Sequence, residues 1–158
     1  MSANTRQLTL DTPEATCDLA RALGPHLVPG DTVLLSGGVG AGKTHFARCL
    51  ILSLLDTPED VPSPTYTLVQ SYDGIAGEIW HADLYRLTDI GEIDELGLTQ
   101  AFTDAICLVE WPDRLGGYAP RPALSLSLEA PSGDDRRVAT LDWEDPRWDD
   151  KMRKVLND

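Results

Sequence analysis

Thr32-Val33-Leu34-Leu35-Ser36-Gly37-Gly38-Val39-Gly40-Ala41-Gly42-Lys43-Thr44 decides the fold. Its first five residues form a short apolar run of the kind found in strands buried on both faces. Its last eight satisfy G-x-x-x-x-G-K-[ST] without a mismatch. Average residue usage produces such a match in roughly 0.5% of chains this long, and this one sits where the motif must sit, between a buried strand and a helical pattern from Lys43 to Leu55. Glycines let successive backbone amides curl into a concave nest for phosphate oxygens. The loop opens a helix, whose unpaired amides and dipole add positive potential at the same point. Lys43 then reaches the β- and γ-phosphates, and the Thr44 hydroxyl becomes a magnesium ligand. The motif implies a site for a nucleoside triphosphate with magnesium.

On either side of this loop the chain alternates short strands and helices. Arg6 to Leu10 reads as a strand, and Thr12-Pro13-Glu14 starts a helix with a capping hydroxyl, a proline at the first helical position and an acid in the first turn. Ala15, Leu19, Ala22 and Leu23 give that helix its apolar stripe. Asp56 to Pro64 holds three prolines and reads as a loop. Thr65 to Tyr72 and Glu78 to Asp83 read as an antiparallel pair, with a turn at Asp73-Gly74 and a connection longer than a two-residue hairpin. Asp89 caps a short helix that turns Ile90, Ile93 and Leu96 inward and closes at Gly97. Ala105 to Val109 is a second buried strand. Ala123 to Glu129 and Arg137 to Trp143 are a late strand pair, and a terminal helix starts at Pro146. Strands interleaved with helices predict an α/β fold: a P-loop NTPase-like three-layer sandwich with a mostly parallel sheet and an antiparallel edge. Residues 1–158 are read as a single domain, in line with the length.

Composition narrows the function. The chain has 13 Lys and Arg against 26 Asp and Glu, a net charge of −13. Nucleic-acid binders gain most of their affinity from Lys and Arg that displace phosphate counterions, and Arg136-Arg137 and Arg153-Lys154 are the only adjacent basic pairs. Direct binding to RNA or DNA is disfavoured. No run approaches the roughly 18 apolar residues of a membrane span, and the polar start lacks a signal peptide's apolar core, so a cytoplasmic protein is expected. Cys17, Cys49 and Cys107 are isolated and odd in number, which argues against disulfides and against a structural zinc site. Cys49 and Cys107 read as small buried hydrophobes.

A P-loop needs an acidic partner at the end of a nearby buried strand. Ile106-Cys107-Leu108-Val109-Glu110 supplies it: Glu110 stands where the strand leaves the sheet, to hold magnesium or order the attacking water. Asp83 is a second candidate, ending the Ile79-His81-Asp83 face of its strand, and His81 reads equally well as a packing residue. Thr65 follows the proline loop, where a threonine can act as a switch-like contact to magnesium or the γ-phosphate.

Together Gly40-Ala41-Gly42-Lys43-Thr44, Ser63-Pro64-Thr65-Tyr66-Thr67-Leu68-Val69, His81-Ala82-Asp83-Leu84-Tyr85-Arg86 and Leu108-Val109-Glu110-Trp111-Pro112 resemble, in order and spacing, the bacterial TsaE (YjeE) ATPases. These are the ATPase component of the machinery that makes N6-threonylcarbamoyladenosine on tRNA. The resemblance spans roughly residues 6 to 143. It implies slow ATP hydrolysis within a complex of TsaD-like and TsaB-like transferase proteins, with tRNA reached only through that complex. It also implies a phosphate cradle of Gly38, Val39, Gly40, Ala41, Gly42, Lys43, Thr44 and His45. Thr44 and Glu110 would be the magnesium ligands, Asp83 a support for hydrolysis and Thr65 the switch-like threonine. Trp111 would lie at the nucleotide site or the partner face. The adenine side would come from the segment around Asp11 to Glu14, with Pro13 in it, and from an arginine near the late hairpin, Arg137, with Arg136 competing. Gly38-Val39 and His45 depart from the family's usual residues but leave the loop amides and the Thr44 hydroxyl in place. The main rival reading, a small-molecule P-loop kinase, lacks the arginine-bearing lid such an enzyme uses.

Overall fold

The chain runs β1 (Asn4–Leu10), α1 (Pro13–Leu23), β2 (Thr32–Ser36), α2 (Lys43–Leu54), β3 (Val69–Gly74), β4 (Gly77–Asp83), α3 (Glu92–Glu95), α4 (Leu98–Asp104), β5 (Ile106–Glu110), β6 (Leu124–Glu129), β7 (Arg137–Trp143) and α5 (Arg147–Leu156). The computed structural model describes residues 4–38, 40–57, 59–64, 67–131 and 134–156. The strands form one seven-stranded sheet in the order β1-β7-β6-β2-β5-β4-β3. Its inner strands β6, β2, β5 and β4 are parallel, while β3 at one edge and β7 and β1 at the other pair antiparallel. The fold is the expected P-loop NTPase-like α/β arrangement, with antiparallel pairing at both edges rather than one.

Alternation along the buried strands sorts side chains to the two faces. Val33, Leu35, Ile106 and Leu108 join the core under α1, α2 and α5, whereas Leu34 and Val109 join the cluster on the other face with Ile93, Leu98 and Leu115. α2 is anchored by Phe46, Leu50 and Ile51, all fully buried, each worth about 1.5–3 kcal/mol of removed apolar surface. That packing fixes the helix whose first residues carry Lys43 and Thr44. Thr12 caps α1 as expected, its Oγ1 accepting from the Ala15 amide at 3.0 Å.

Four local expectations need correction. The β3–β4 connection is a two-residue hairpin, because Gly74 pairs with Gly77 and only Ile75-Ala76 intervene; Asp73-Gly74 continues the strand instead of turning. Val69 starts β3, later than read, because the Leu68 amide donates to the Pro64 carbonyl in a turn; Thr65 and Tyr66 lie outside the described residues. Ile90 is 48% exposed while Ile93 is fully buried, because α3 begins only at Glu92, whose carboxylate accepts from the Thr88 hydroxyl and the Asp89 amide. Gly97 closes α3 as expected, in the left-handed conformation (φ +86°) of a residue just past a helix end, and a separate helix, α4, starts directly after it.

The cysteines give the fourth correction. Cys17 on α1 and Cys49 on α2 form a disulfide, their Cα atoms 5.3 Å apart. Both face the seam between two packed helices, a juxtaposition that their separation of 32 residues conceals. Cys107 is free and fully buried. Burial, with the Glu78 carboxylate adding to it, pushes its thiol up to about 12. The reactive thiolate is therefore scarce at neutral pH. Under non-reducing conditions the native protein is expected to resist maleimide on a timescale at which the denatured protein is fully labelled, as read by intact mass. Rapid native labelling would contradict that burial. Among the described residues no helix is long and apolar enough to cross a membrane.

Candidate functional site

The site lies where β2, β4 and β5 end, at the carboxyl edge of the parallel strands, where open α/β sheets bind ligands. β2 stops at Ser36 and the chain turns sharply through Gly37, where a Cβ would run into the Leu128 carbonyl oxygen. Gly42, at φ +103°, is the left-handed residue from which α2 starts. Glycine is the residue both positions favour. Val39 lies outside the described residues. The remainder of the loop is tied by the Ala41 amide donating to the Gly38 carbonyl at 3.1 Å and the Phe46 amide to Gly42 at 2.9 Å.

Lys43 is only 4% exposed. Its Nζ donates to the carbonyls of Gly37 and Gly38 at 2.7 and 2.8 Å and sits 4.4 Å from the centroid of the Trp111 ring, a cation–π contact. Burial lowers the ammonium's pKa, while the Glu110 and Asp83 carboxylates act in the opposite direction. Trp111 adopts a left-handed backbone (φ +59°, ψ +54°) immediately after Glu110. This turns the chain away from the sheet and leaves the indole over Lys43, with the Tyr85 ring 4.9 Å away.

The Thr44 hydroxyl lies 2.8 and 3.0 Å from the two carboxylate oxygens of Glu110. Glu110 Oε2 is also 2.6 Å from His81 Nε2. Asp83 is the register partner of Glu110 across β4 and β5, so the two carboxylates stand side by side, and Asp83 Oδ1 accepts from the Tyr85 amide at 3.0 Å. A hydroxyl and carboxylate oxygens are hard donors of the kind magnesium takes when it binds with a nucleotide, which supplies the other ligands itself. Among the described residues no group of three or more His, Cys, Asp or Glu is arranged to hold a metal; the donor set fits a cation arriving with phosphates rather than a caged ion.

A cleft of about 650 Å³ opens between these groups, lined by Lys43, Thr44, Asp83, Glu110 and Trp111, and also by Tyr85 and Arg86. A smaller cavity of about 250 Å³ shares Gly40, Gly42 and His45 with it and continues toward Pro13, Asp135 and Arg137. Arg137 is fixed beneath the loop, its Nε donating to the Ala41 carbonyl at 2.9 Å and its Nη2 to Gly40 at 3.3 Å. Arg136 lines neither cavity. His45 Nε2 is 3.0 Å from the Pro13 carbonyl, bridging α2 to the start of α1. The structure thus brings Pro13, His45, Arg137, Lys43, Thr44, Asp83, Glu110 and Trp111 to one trough, and Thr65 lies outside the described residues. Sequence reasoning assigned no role to Tyr85 or Arg86. Their place just beyond Asp83, off the carboxyl end of a parallel strand, was the signal available.

The sequence model of the family "Threonylcarbamoyl adenosine biosynthesis protein TsaE" matches residues 10–138. A Rickettsia conorii protein named tRNA threonylcarbamoyladenosine biosynthesis protein TsaE is 38% identical over 133 residues, covering 84% of this chain and 76% of its own. A Mycobacterium tuberculosis H37Rv protein of the same name is 35% identical over 145 residues, covering 85% of each. The crystal structure of Bacillus subtilis YdiB superposes with a TM-score of 0.81 at 25% identity, covering 99% of this chain and 97% of that one.

Proposed function

Because the chain belongs to the TsaE family of tRNA threonylcarbamoyladenosine biosynthesis proteins, we propose that it binds ATP with magnesium in the cytoplasm and hydrolyses it slowly, resetting the proteins that make the modification between cycles. The observation that carries this reading is the Thr44 hydroxyl within 2.8 Å of Glu110 at the start of the helix that follows the glycine loop. In this reading residues 1–158 act as one P-loop ATPase domain. The loop amides and the N-terminus of α2 hold the phosphates. Lys43 exchanges its two carbonyl partners for the β- and γ-phosphate oxygens, where charge develops as the terminal phosphoryl group leaves. Thr44 and Glu110 would hold magnesium, which when bound would offset negative charge on the phosphates. Asp83, beside Glu110, orients the attacking water. Pro13, His45 and Arg137 border the adenine, and Thr65, assigned from sequence alone, contacts the γ-phosphate.

The partners in this reading are TsaD-like and TsaB-like proteins, docked on the face around Trp111 and the Ser63-Pro64-Thr65 loop, where a γ-phosphate can be sensed directly. Released phosphate is expected to be low for the chain alone, to rise when both partners are added, and to be indifferent to small-molecule acceptors. Transfer of the phosphate to such an acceptor would instead make the protein a kinase. With a net charge of −13 and the cations of α5 paired with Asp31 and Asp150, the isolated chain should not bind tRNA at physiological salt; tight binding in an anisotropy titration would contradict the indirect role. Pull-downs with ATP, ADP or no nucleotide should differ in partner recovery, and equal recovery in all three would remove nucleotide-gated docking.

A further inference from the structure

We propose that His81 is a positioning residue for Glu110: by donating Nε2–H to Oε2 it fixes the carboxylate so that Glu110 and the Thr44 hydroxyl together face the divalent cation of the bound nucleotide. This rests on the reading of Glu110 as a cation ligand. His81 lies on β4 opposite Leu108 of β5, two residues before the Asp83–Glu110 pair and on the same face of the sheet. Its Nε2 is 2.6 Å from Oε2, with the His81 side chain fully buried and that of Glu110 3% exposed. An ionised carboxylate only accepts, so the nitrogen that faces it carries the hydrogen. Glu110 stands at a strand end beside an open cleft, where a glutamate could otherwise rotate about three side-chain bonds. A ring held on all sides by the core removes that freedom, as a partner behind a metal ligand does.

A packing role alone does not account for position 81. Its neighbours on the strand, Ile79 and Ala82, are fully buried apolar residues, and an apolar side chain would fill the same space. The histidine instead leaves its Nδ1 buried without a hydrogen-bond partner among the described residues. Native cores keep few such atoms. The one polar contact made by the ring among the described residues is the bond to Glu110, so that bond is the feature an apolar residue could not supply.

The test measures binding of a methylanthraniloyl ATP in EDTA and across a magnesium titration. His81→Phe keeps the ring volume and removes the donor; His81→Gln returns an N–H near the Nε2 position. His81→Phe is expected to leave affinity in EDTA within about twofold and to raise the magnesium half-saturation point by about 10–100-fold, the usual cost of losing a group behind a metal ligand. His81→Gln should recover most of that shift. A magnesium midpoint unchanged in His81→Phe but raised in Glu110→Gln would overturn the positioning role alone. Parallel loss of affinity with and without magnesium in His81→Phe would also overturn it, by making the residue purely structural. An unchanged midpoint in Glu110→Gln would instead remove the cation reading on which the proposal stands. If His81→Phe does not fold, as judged by circular dichroism, His81→Asn takes its place. The Asn amide stops short of the Nε2 position, so it must bind magnesium more weakly than His81→Gln, and equal midpoints overturn the proposal.

Discussion

Lys43→Ala is expected to lower ATP hydrolysis by at least about a hundredfold, the scale on which removal of one preorganised donor to developing charge acts. ATP binding should weaken much less. The reason lies in how the lysine is held. Its ammonium is fixed by the Gly37 and Gly38 carbonyls and covered by the Trp111 indole. In the proposed reaction, a charge already oriented and partly stripped of water would meet the β- and γ-phosphates with little reorganisation, and its benefit would grow as negative charge builds on them. The backbone amides of the loop and the start of α2 make no use of the Lys43 side chain, so the ground-state cradle survives its removal. The two carbonyls it leaves border an open cleft and can be met by water, so the fold should persist. Circular dichroism and nucleotide titration establish that the variant is folded and loaded, and phosphate release then gives the rate. Turnover at the wild-type level in a clean preparation would remove Lys43 from the chemistry and, with it, the phosphate site drawn from the glycine loop.

Much of this architecture could be read in the chain because its signals are local. The glycine loop is defined within eight residues, the cap at Thr12 within three, and the strand at Ile106–Glu110 by an unbroken apolar run that ends in an acid. Relations between elements could not be read in this way. Nothing near Cys17 says that α1 packs on α2 with Cys49 facing it. Nothing near His81 says that β4 lies beside β5 in the register that sets its ring against Glu110. Both pairs depend on strand order and helix packing, which alternating apolar patterns leave open. The hairpin at Ile75-Ala76 was misread for a different reason. Asp73-Gly74 has the composition of a turn, but the ladder continues through it to Gly77, and pairing with β4 overrode the local preference. Arg137 lies between these cases: its strand was legible, while its reach to Ala41 and Gly40 requires the late hairpin to fold beneath the loop.

Glu110→Gln should separate cation binding from nucleotide binding, because the site dictates how the new amide is oriented. His81 Nε2 lies 2.6 Å from one oxygen of Glu110; with the hydrogen on that nitrogen, as the positioning role requires, the amide introduced at position 110 turns its carbonyl toward the histidine and its NH2 toward Thr44. The donor pair offered to magnesium then changes from a hydroxyl and an anion to a hydroxyl and an amide N–H, which repels a cation. Losing a group behind a metal ligand costs about 10–100-fold in metal affinity, and loss of the ligand itself should cost no less. The magnesium concentration needed for half-maximal hydrolysis is therefore expected to rise by at least about tenfold, with affinity for ATP in EDTA close to wild type. Volume and hydrogen bonding are conserved, so the thermal midpoint should move little. Asp83→Asn provides the contrast. Asp83 neighbours Glu110 across the β4–β5 ladder and holds the Tyr85 amide, whereas the Thr44 hydroxyl is turned to Glu110. Its loss should therefore slow turnover at saturating magnesium without shifting the magnesium midpoint. If the two variants exchanged behaviours, with the midpoint moving in Asp83→Asn and only the rate falling in Glu110→Gln, Asp83 would be the magnesium ligand and Glu110 the residue that orders water.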